Sequence, residues 1–239
     1  MSPDDHISYE GDATALALTD PRLAGLLPFK DVSEQQLNEI LAHATLRPIN
    51  LNETFFSEGD CADNFYVLLD GVLRILRSIG DGEQVVILHV APGQMFGIAK
   101  AFDNDTYHAT ANAASAGLAL SWPTESWDRF VRDYPGFSAA TRKAVGARVD
   151  EMQDKIVEMA TLQVEQRIAH AILRLVRQHG KETNEGLEIG FPITRQDISE
   201  LTGTTLHSVS RYLSKWEKAG IVNSSRRRVV VCRPEELPL

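Results

Sequence analysis

The chain has few cysteines, and this excludes two kinds of site. Its 239 residues include two cysteines, Cys61 and Cys232, which are far apart and outside any CxxC motif. A disulfide framework needs more cysteines than this, and an iron–sulfur cluster ordinarily needs four clustered thiolates. We therefore expect two free thiols and no iron–sulfur cluster.

Long apolar segments and common catalytic motifs are also missing. No apolar run approaches the roughly 20 residues of a membrane span. The opening residues M-S-P-D-D-H lack the apolar core of a secretory signal. The sequence has no G-x-S-x-G, P-loop or H-E-x-x-H motif, and no clustered His-x-His for a cupin-type metal site. We expect a cytoplasmic protein that neither binds membranes nor acts as an enzyme.

Basic residues are scarce overall, but not in the C-terminal part. The net charge of the whole chain is −9. Residues 1–163 hold 12 Lys and Arg against 24 Asp and Glu, a net charge of −12. Residues 164–239 hold 12 against 9, a net charge of +3. This asymmetry predicts that only the C-terminal part meets a polyanion such as DNA.

From about residue 47 to residue 121 the sequence is typical of a small antiparallel β-domain. Short β-rich runs alternate with turn signals such as Asp70-Gly71 and Pro92-Gly93, which predicts a sandwich or barrel. Before it we expect a loose extension over residues 1–20, a short helix at Pro21–Leu27 and a helix at Ser33–Ala44 with a capping box. The predicted strands are Thr54–Phe56, Asn64–Leu69, Val72–Leu76, Gln84–Val90 and Leu118–Trp122.

A long helix is predicted over residues 138–162, and its apolar residues form a narrow stripe. They are spaced 4, 3, 4 and 3, which is the period of a coiled coil, and charged residues flank them. The pattern favours a homodimer that pairs along this helix, although a helix packed on its own sheet is the alternative. The predicted interface residues are Val145, Val149, Met152, Ile156 and Met159.

The C-terminal part carries the strongest signal. A helix is predicted at Val164–His179 and a loop at Lys181–Gly190. Thr194 then stands where its hydroxyl can cap a short helix that ends at Gly203. A second helix follows, with Leu206, Val209, Leu213 and Trp216 as its apolar stripe. Two short helices about a glycine turn, followed by a basic tip and a strand, predict a winged helix-turn-helix.

The face of the second helix opposite that stripe is polar and basic. Arg211 can offer a bidentate fork to guanine, and the hydroxyls can reach phosphates or base edges. A helical hairpin with a solvated basic face is the alternative. The predicted DNA-binding residues are Thr204, Thr205, His207, Ser208, Ser210, Arg211 and Lys215 on the helix, with Arg226, Arg227 and Arg228 on the wing.

Two runs of residues resemble the CRP/FNR superfamily, the cyclic-AMP receptor protein and its relatives. One is Phe56-x-Glu58-Gly59-Asp60-x-x-Asp63-x-Phe65-Tyr66-Val67-Leu68-x-x-Gly71-x-Leu73-Arg74, and the other extends from Thr194 to Val222. The resemblance implies an α+β fold: an N-terminal antiparallel β-roll (a jelly roll of the cyclic-nucleotide-binding type), a long dimerisation helix and a C-terminal winged helix-turn-helix. It covers nearly the whole chain, and we place the parts at 1–137, 138–162 and 163–239.

The resemblance also implies how the protein works. The segment from Gly203 to Arg211 is similar to the NnrR subgroup, whose members respond to nitric oxide and control denitrification genes. A palindromic TTG-type site on double-stranded DNA is then expected, with Arg211 reading its guanine. Many relatives have a glutamate where this chain has His207, so we expect a half-site different from that of the cyclic-AMP receptor protein. By analogy, the Gly80–Glu83 turn would contact RNA polymerase.

The effector is less well defined by the sequence. Relatives that bind cyclic nucleotides use a Gly-Glu pair for the ribose and an Arg-Ser pair for the phosphate. Here Ile98, Tyr107 and His108 stand at those positions, so cyclic AMP is not expected. The subgroup implies haem, with His108 as the candidate iron ligand. The predicted effector pocket comprises Met95, Phe96, Ile98, Tyr107 and His108.

Two other classes of function stay open at this point. The chain could be a nucleotide-type sensor that regulates a partner protein without touching DNA, which the helix-turn-helix and its basic wing argue against. It could also be a DNA-binding regulator that needs no ligand or responds to another small molecule, with the β-roll as a scaffold. A footprint that does not depend on ligand would favour that last alternative.

Overall fold

The computed structural model describes residue 23 and residues 26–29, 32–79 and 84–238. Two four-stranded antiparallel sheets form the N-terminal domain, in the strand orders β1-β8-β3-β6 and β2-β7-β4-β5. The β-roll predicted from the sequence is confirmed, and it contains three further strands, β1, β6 and β7, that the β-rich runs did not reveal. The strands are β1 (Thr45–Ile49), β2 (Thr54–Phe56), β3 (Asn64–Asp70), β4 (Leu73–Ser78), β5 (Gln84–Val90), β6 (Met95–Phe96), β7 (Thr110–Ala113) and β8 (Gly117–Pro123).

Strand β3 separates two hydrophobic cores. Successive side chains of a strand point to opposite faces, so Phe65 and Val67 pack on one side of the sheet while Tyr66 and Leu68 pack on the other. The first side meets helices, and the second side lies between the two sheets. Strand β6 divides in the same way, with Met95 in the first core and Phe96 in the second.

Three helices follow the sequence patterns closely, and a fourth, α2 (Trp127–Asp133), was not predicted. The first, α1 (Glu34–Leu41), begins after Ser33, which forms the predicted capping box with Gln36. Next are α2, the long α3 (Pro135–Thr161) and α4 (Val164–His179). The long helix begins three residues before the predicted start, because a proline at the first helical position needs no hydrogen-bonded N–H.

Helices α3 and α4 are joined by a sharp break. Leu162 (φ −96°, ψ 144°) and Gln163 (φ −70°, ψ 159°) are both extended. Gln163 then forms a capping box with Gln166 at the start of α4. This break lies at the boundary between the two helices that the sequence patterns predict.

The C-terminal domain has a sheet on one side of its helices. Its strands are β9 (Gly180–Thr183), β10 (Gly186–Ile189), β11 (Val222–Ser225) and β12 (Arg228–Val231), in the order β11-β12-β10-β9, and its further helices are α5 (Arg195–Thr202) and α6 (Leu206–Lys218). The loop predicted at residues 181–190 is wrong, since β9 and β10 form a hairpin there. Pairing of β10 with β12 supplies the backbone partners that a polar segment by itself does not reveal.

The two domains share part of one core. Val72, Leu76 and Val86 of the β-roll belong to the same buried cluster as Ile172 of α4 and Ile198 of α5. The C-terminal domain therefore rests on strands β4 and β5 of its own chain. The predictions for residues 1–20, for most of Pro21–Leu27 and for the Gly80–Glu83 turn concern residues outside the described part of the chain.

Candidate DNA-binding surface and effector cavity

The first helix of the helix-turn-helix is held by a reciprocal cap. The Thr194 hydroxyl accepts a hydrogen bond from the backbone N–H of Asp197 at 3.1 Å, and Asp197 Oδ2 accepts one from the N–H of Thr194 at 2.7 Å. At the other end, Gly203 adopts a positive φ of 59°, which favours glycine. The predicted cap and turn are confirmed.

Helix α6 is capped by Thr205 and is buried along one face. The Thr205 hydroxyl accepts from the N–H of Ser208 at 3.2 Å. Val209, Leu213 and Trp216 lie in the core. Leu206, which the spacing assigned to the same stripe, is 47% exposed. The assignment of Leu206 to the buried stripe is therefore wrong, although Val209, three residues later, is fully buried.

The outer face of α6 carries the predicted polar residues. Thr205, His207 and Arg211 are exposed, and Thr204, Ser208 and Ser210 are half-buried. The Arg211 guanidinium stacks on the Tyr212 ring, with Cζ 4.6 Å from the ring centroid, and donates to the Tyr212 hydroxyl at 2.9 Å. Lys215 forms an ion pair with Glu165 at 2.8 Å. The stacking holds Arg211 at the surface in a defined direction.

The wing presents two free arginines rather than three. Arg226 and Arg227 are exposed at the tip between β11 and β12. Arg228 lies at the start of β12, where it pairs with Glu188 at 2.9 Å and with Glu185 at 3.1 Å. These two carboxylates raise the pKa of Arg228 and compete with phosphate for it. A contact between Arg228 and DNA therefore remains a prediction. Arg226 and Arg227 are exposed and better placed to contact a phosphate.

The apolar stripe of α3 faces solvent in the single chain. The exposed fractions are 45% for Val149, 52% for Met152, 68% for Ile156 and 52% for Met159. Val157, which the heptad spacing did not include, is 59% exposed. Val145 differs, since it is half-buried against the core of the β-roll. The alternative in which the whole stripe packs on its own sheet is therefore wrong, and applies to Val145 alone.

A small cavity lies between the sheet of β4 and β5, strand β6 and helix α3. Its volume is about 120 Å³. Of the predicted pocket residues, Phe96, Ile98, Tyr107 and His108 line it. Met95 does not, because alternation along β6 turns it into the other core, where its sulfur accepts from Thr141 at 3.8 Å. Other lining residues are Phe56, Ile75, Leu88, Gly97, Ala99, Phe102, Ala109 and Arg148.

Tyr107 and His108 are poorly placed to bind an iron atom inside the cavity. The Tyr107 ring stacks on Phe56 at 3.7 Å between centroids, and its hydroxyl donates to the backbone carbonyl of Asn64 at 2.6 Å. Burial and the nearby Tyr66 raise the pKa of Tyr107, so its phenol stays protonated. His108 is exposed at the rim.

Sequence reasoning missed Arg148, the one cation that lines the cavity among the described residues. It comes from α3 and donates to the backbone carbonyl of Met95. Burial lowers its pKa, and the described residues place no carboxylate within ion-pair distance of it. Arg148 and Lys155 are seven residues apart and so share a helix face. That spacing was the signal, but the sequence did not show that this face meets the cavity.

The cavity residues do not fit haem. A volume of about 120 Å³ is below the roughly 300–1,000 Å³ of typical small-molecule sites. The Tyr107 hydroxyl is already bonded, Met95 faces away, and His108 lies at the rim. Haem binding through His108 stays an untested prediction.

The contact between the two domains contains an ion pair and two neighbouring histidines. Arg74 Nη1 of β4 lies 2.5 Å from Asp197 Oδ1, the second oxygen of the capping carboxylate. Beside it, the His89 ring of β5 lies 6.3 Å from the His179 ring of α4 and 5.1 Å from the Phe191 ring. Burial lowers the pKa of His89 to about 3 and lowers that of His179 as well.

Comparison with known families matches both domains. A family described as the cyclic nucleotide-binding domain matches residues 46–134, and one described as the Crp-like helix-turn-helix domain matches residues 166–238. Within the described residues, no helix is both long and apolar enough to cross a membrane.

Individual relatives extend over most of the chain. The "CRP-like cAMP-activated global transcriptional regulator" of Mycobacterium tuberculosis is 22% identical over 80% of this chain and 87% of its own. The "Nitrogen fixation regulation protein FixK" of Bradyrhizobium diazoefficiens is 25% identical over 71% of this chain and 70% of its own. Among solved structures, FixK2 from Bradyrhizobium japonicum shares the fold with a TM-score of 0.71 at 20% identity, covering 82% of this chain and 98% of that one.

A sensing domain of the cyclic-nucleotide-binding type, joined by a long helix to a helix-turn-helix, defines a DNA-binding transcription regulator rather than an enzyme. The relatives are regulators too. The chain belongs to the CRP/FNR superfamily of transcription regulators.

Proposed function

We propose that this regulator acts in the cytoplasm as a homodimer on a palindromic TTG-type site, with RNA polymerase as a further partner. The observation that carries the dimer is the exposed apolar stripe of α3, in which Ile156 is 68% exposed. A stripe of this length in water favours association with an identical stripe on a second chain. Pairing of the two α3 helices places two recognition helices on one DNA duplex, about one helical turn apart.

Ile156→Asp tests the dimer directly, because it puts a charge into the centre of the stripe. We expect a monomer by sedimentation and little affinity for a palindrome. Val131→Asp is the matched control, since Val131 is an exposed valine of α2 outside the stripe, and it should leave both properties unchanged. A stable Ile156→Asp dimer with full affinity would contradict the pairing.

The half-site is proposed to contain a guanine that Arg211 reads. Exposure of Arg211 and its stacking on Tyr212 support this role. Selection from randomised DNA by the wild-type protein should return palindromes with a fixed guanine. Arg211→Ala should then cost about 1–3 kcal/mol of binding free energy and relax the preference at that position. Lys218→Ala, at the far end of α6, is the control. Selected sites without a fixed guanine would contradict the assignment of Arg211 to a guanine.

Nitric oxide is proposed as the signal and denitrification genes as the target. This part of the proposal comes from the similarity of the recognition segment to the NnrR subgroup, and a relative named for regulation of nitrogen fixation supports a role in nitrogen metabolism. The test is an anaerobic visible spectrum with added haem, before and after nitric oxide, beside a gel shift on the selected palindrome. A stoichiometric haem band that shifts as DNA binding strengthens supports this mechanism. No band and unchanged binding contradict it.

A small anion with an apolar body is a second candidate effector, favoured by the half-buried guanidinium of Arg148 at a mostly apolar cavity. Burying a cation without a carboxylate partner is costly, and an anionic ligand would supply that partner. Thermal shift with a panel of small aromatic carboxylates, with cyclic AMP included, tests this. A hit should raise Tm for the wild type and not for Arg148→Gln. Equal shifts in both proteins would exclude Arg148 from the site.

A further inference from the structure

The recognition helix exposes one apolar side chain at its leading end. Leu206 is the first residue of α6 and is 47% exposed. Among the described residues from 164 to 238, it is the only large apolar side chain in the exposed class. Three other apolar residues of this helix, Val209, Leu213 and Trp216, are at most 2% exposed, and Tyr212 is partly buried.

The position of Leu206 matters more than its exposure. Single exposed apolar residues are common on protein surfaces. This one, however, lies between Thr205 and His207 and one turn before Ser210, at the end of the recognition helix that approaches base edges in this class of docking. The neighbouring residues are polar and are suited to hydrogen bonds with DNA.

The major groove offers one apolar group to such a side chain. Only thymine carries a methyl group there, at C5, and the other base edges present hydrogen-bond donors and acceptors. Leucine cannot hydrogen-bond through its side chain, so its favourable contact with DNA is with that methyl. Placed against another base edge, it would desolvate a polar group without replacing its hydrogen bond.

We propose that Leu206 is a specificity-determining residue that packs on the C5-methyl of a thymine in each half-site. The proposal rests on DNA binding through α6. Arg211 follows five residues later, which is roughly 7.5 Å along the helix. The thymine and the guanine that Arg211 reads are therefore expected in the same half-site.

The test uses deoxyuridine, which differs from thymidine only in lacking this methyl. The site selected by the full-length wild-type protein is synthesised with each half-site thymine replaced in turn, in both half-sites. Wild-type affinity should fall about fourfold per half-site at one position, as expected for the loss of one buried methyl. Leu206→Ala should bind the thymine site more weakly and show no further loss with deoxyuridine at that position.

Two controls separate the contact from general effects. Leu206→Met keeps an apolar side chain and should retain part of the methyl preference. Val131→Ala removes exposed apolar surface from α2 instead and should respond to deoxyuridine as the wild type does. Because alanine is a better helix former than leucine, Leu206→Ala should keep the wild-type Tm.

Three outcomes would overturn the proposal, and they are distinguishable. If the wild type binds its selected site but is insensitive to deoxyuridine at every position, Leu206 reads no methyl. If Leu206→Ala keeps the full sensitivity, another residue reads it. If the wild type selects no DNA site at all, then DNA binding through α6 fails and this inference fails with it.

Discussion

The apolar residues of two consecutive helices, α3 and α4, differ in their exposure to solvent. On α4, Ile168, Ile172 and Leu175 are at most 2% exposed, whereas Ile156 on α3 is 68% exposed. The apolar side chains of α4 complete the fold of a single chain. Those of α3 remain available to a second chain. Apolar side chains therefore stabilise the fold of one chain on α4, and on α3 they are available for association with a second chain.

The largest expected effect lies on α4. Ile172→Ala should lower the free energy of unfolding by about 2–5 kcal/mol, because it opens a cavity in a fully packed core. Urea unfolding followed by circular dichroism measures this. The loss should be the same at low and high protein concentration, whereas Ile156→Ala should weaken stability only where the chain is dimeric. A concentration-dependent loss for Ile172→Ala would break the comparison.

The next effect concerns the contact that holds α5 against the β-roll. Arg74→Met removes the ion pair with Asp197 while keeping most of the side-chain stem. Removal of one partner from a nearly buried charged hydrogen bond should cost about 1–3 kcal/mol. Limited proteolysis should then cut more readily near Leu162 and Gln163, since the C-terminal domain is released from β4. Unchanged proteolysis would show that the shared apolar core alone holds the domains together.

The stability of the chain is expected to depend on pH through His89 of β5, which lies in the contact between the two domains beside His179. The groups that face His89 are His179, Asp197, Arg74 and Lys155. The pKa of His89 is lowered to about 3 in the folded chain, against about 6.5 when unfolded. Stability is therefore intact above pH 6.5 and falls as the pH drops below it, by up to about 1.4 kcal/mol per pH unit. His89→Gln should flatten the profile between pH 6.5 and 5, and an equally steep profile would exclude His89 as the cause.

The smallest effect is expected where α3 and α4 are tied to each other. Arg174 of α4 pairs with Glu158 of α3 at 2.8 Å, and both side chains are partly accessible. Glu158→Gln should cost about 1 kcal/mol, because the amide oxygen of the glutamine can still accept the hydrogen bond from Arg174 and only the charge is lost. Thermal unfolding measures it. A loss as large as that of Ile172→Ala would mean that this pair, and not the core, fixes the angle between the helices.

The sequence predicted best what local chemistry decides. The caps at Ser33 and Thr194, the glycine turn at Gly203 and the helix break at Leu162–Gln163 all depend on residues a few positions apart. Each of them is found where the pattern placed it. The exposed stripe of α3 could likewise be predicted from the spacing of residues within one helix, except for Val145, which packs on the β-roll.

Features that depend on distant partners were predicted less well. The segment from residue 181 to residue 190 is mostly polar, and β10 within it is a strand that pairs with β12, some forty residues later. Met95 was predicted to line the effector pocket together with Phe96, but the alternation of β6 turns the two side chains into different cores. Arg148 reaches the cavity only because α3 crosses the β-roll, which its own neighbours in sequence do not indicate.

The carboxylate of Asp197 does two things at once. One oxygen completes the first turn of α5, and the other pairs with Arg74 of the β-roll. The ion pair thus connects β4 directly to the carboxylate that caps the first turn of the helix-turn-helix. A change in the position of β4 would therefore act on the start of α5 directly, in addition to any change that reaches it through α3 and α4.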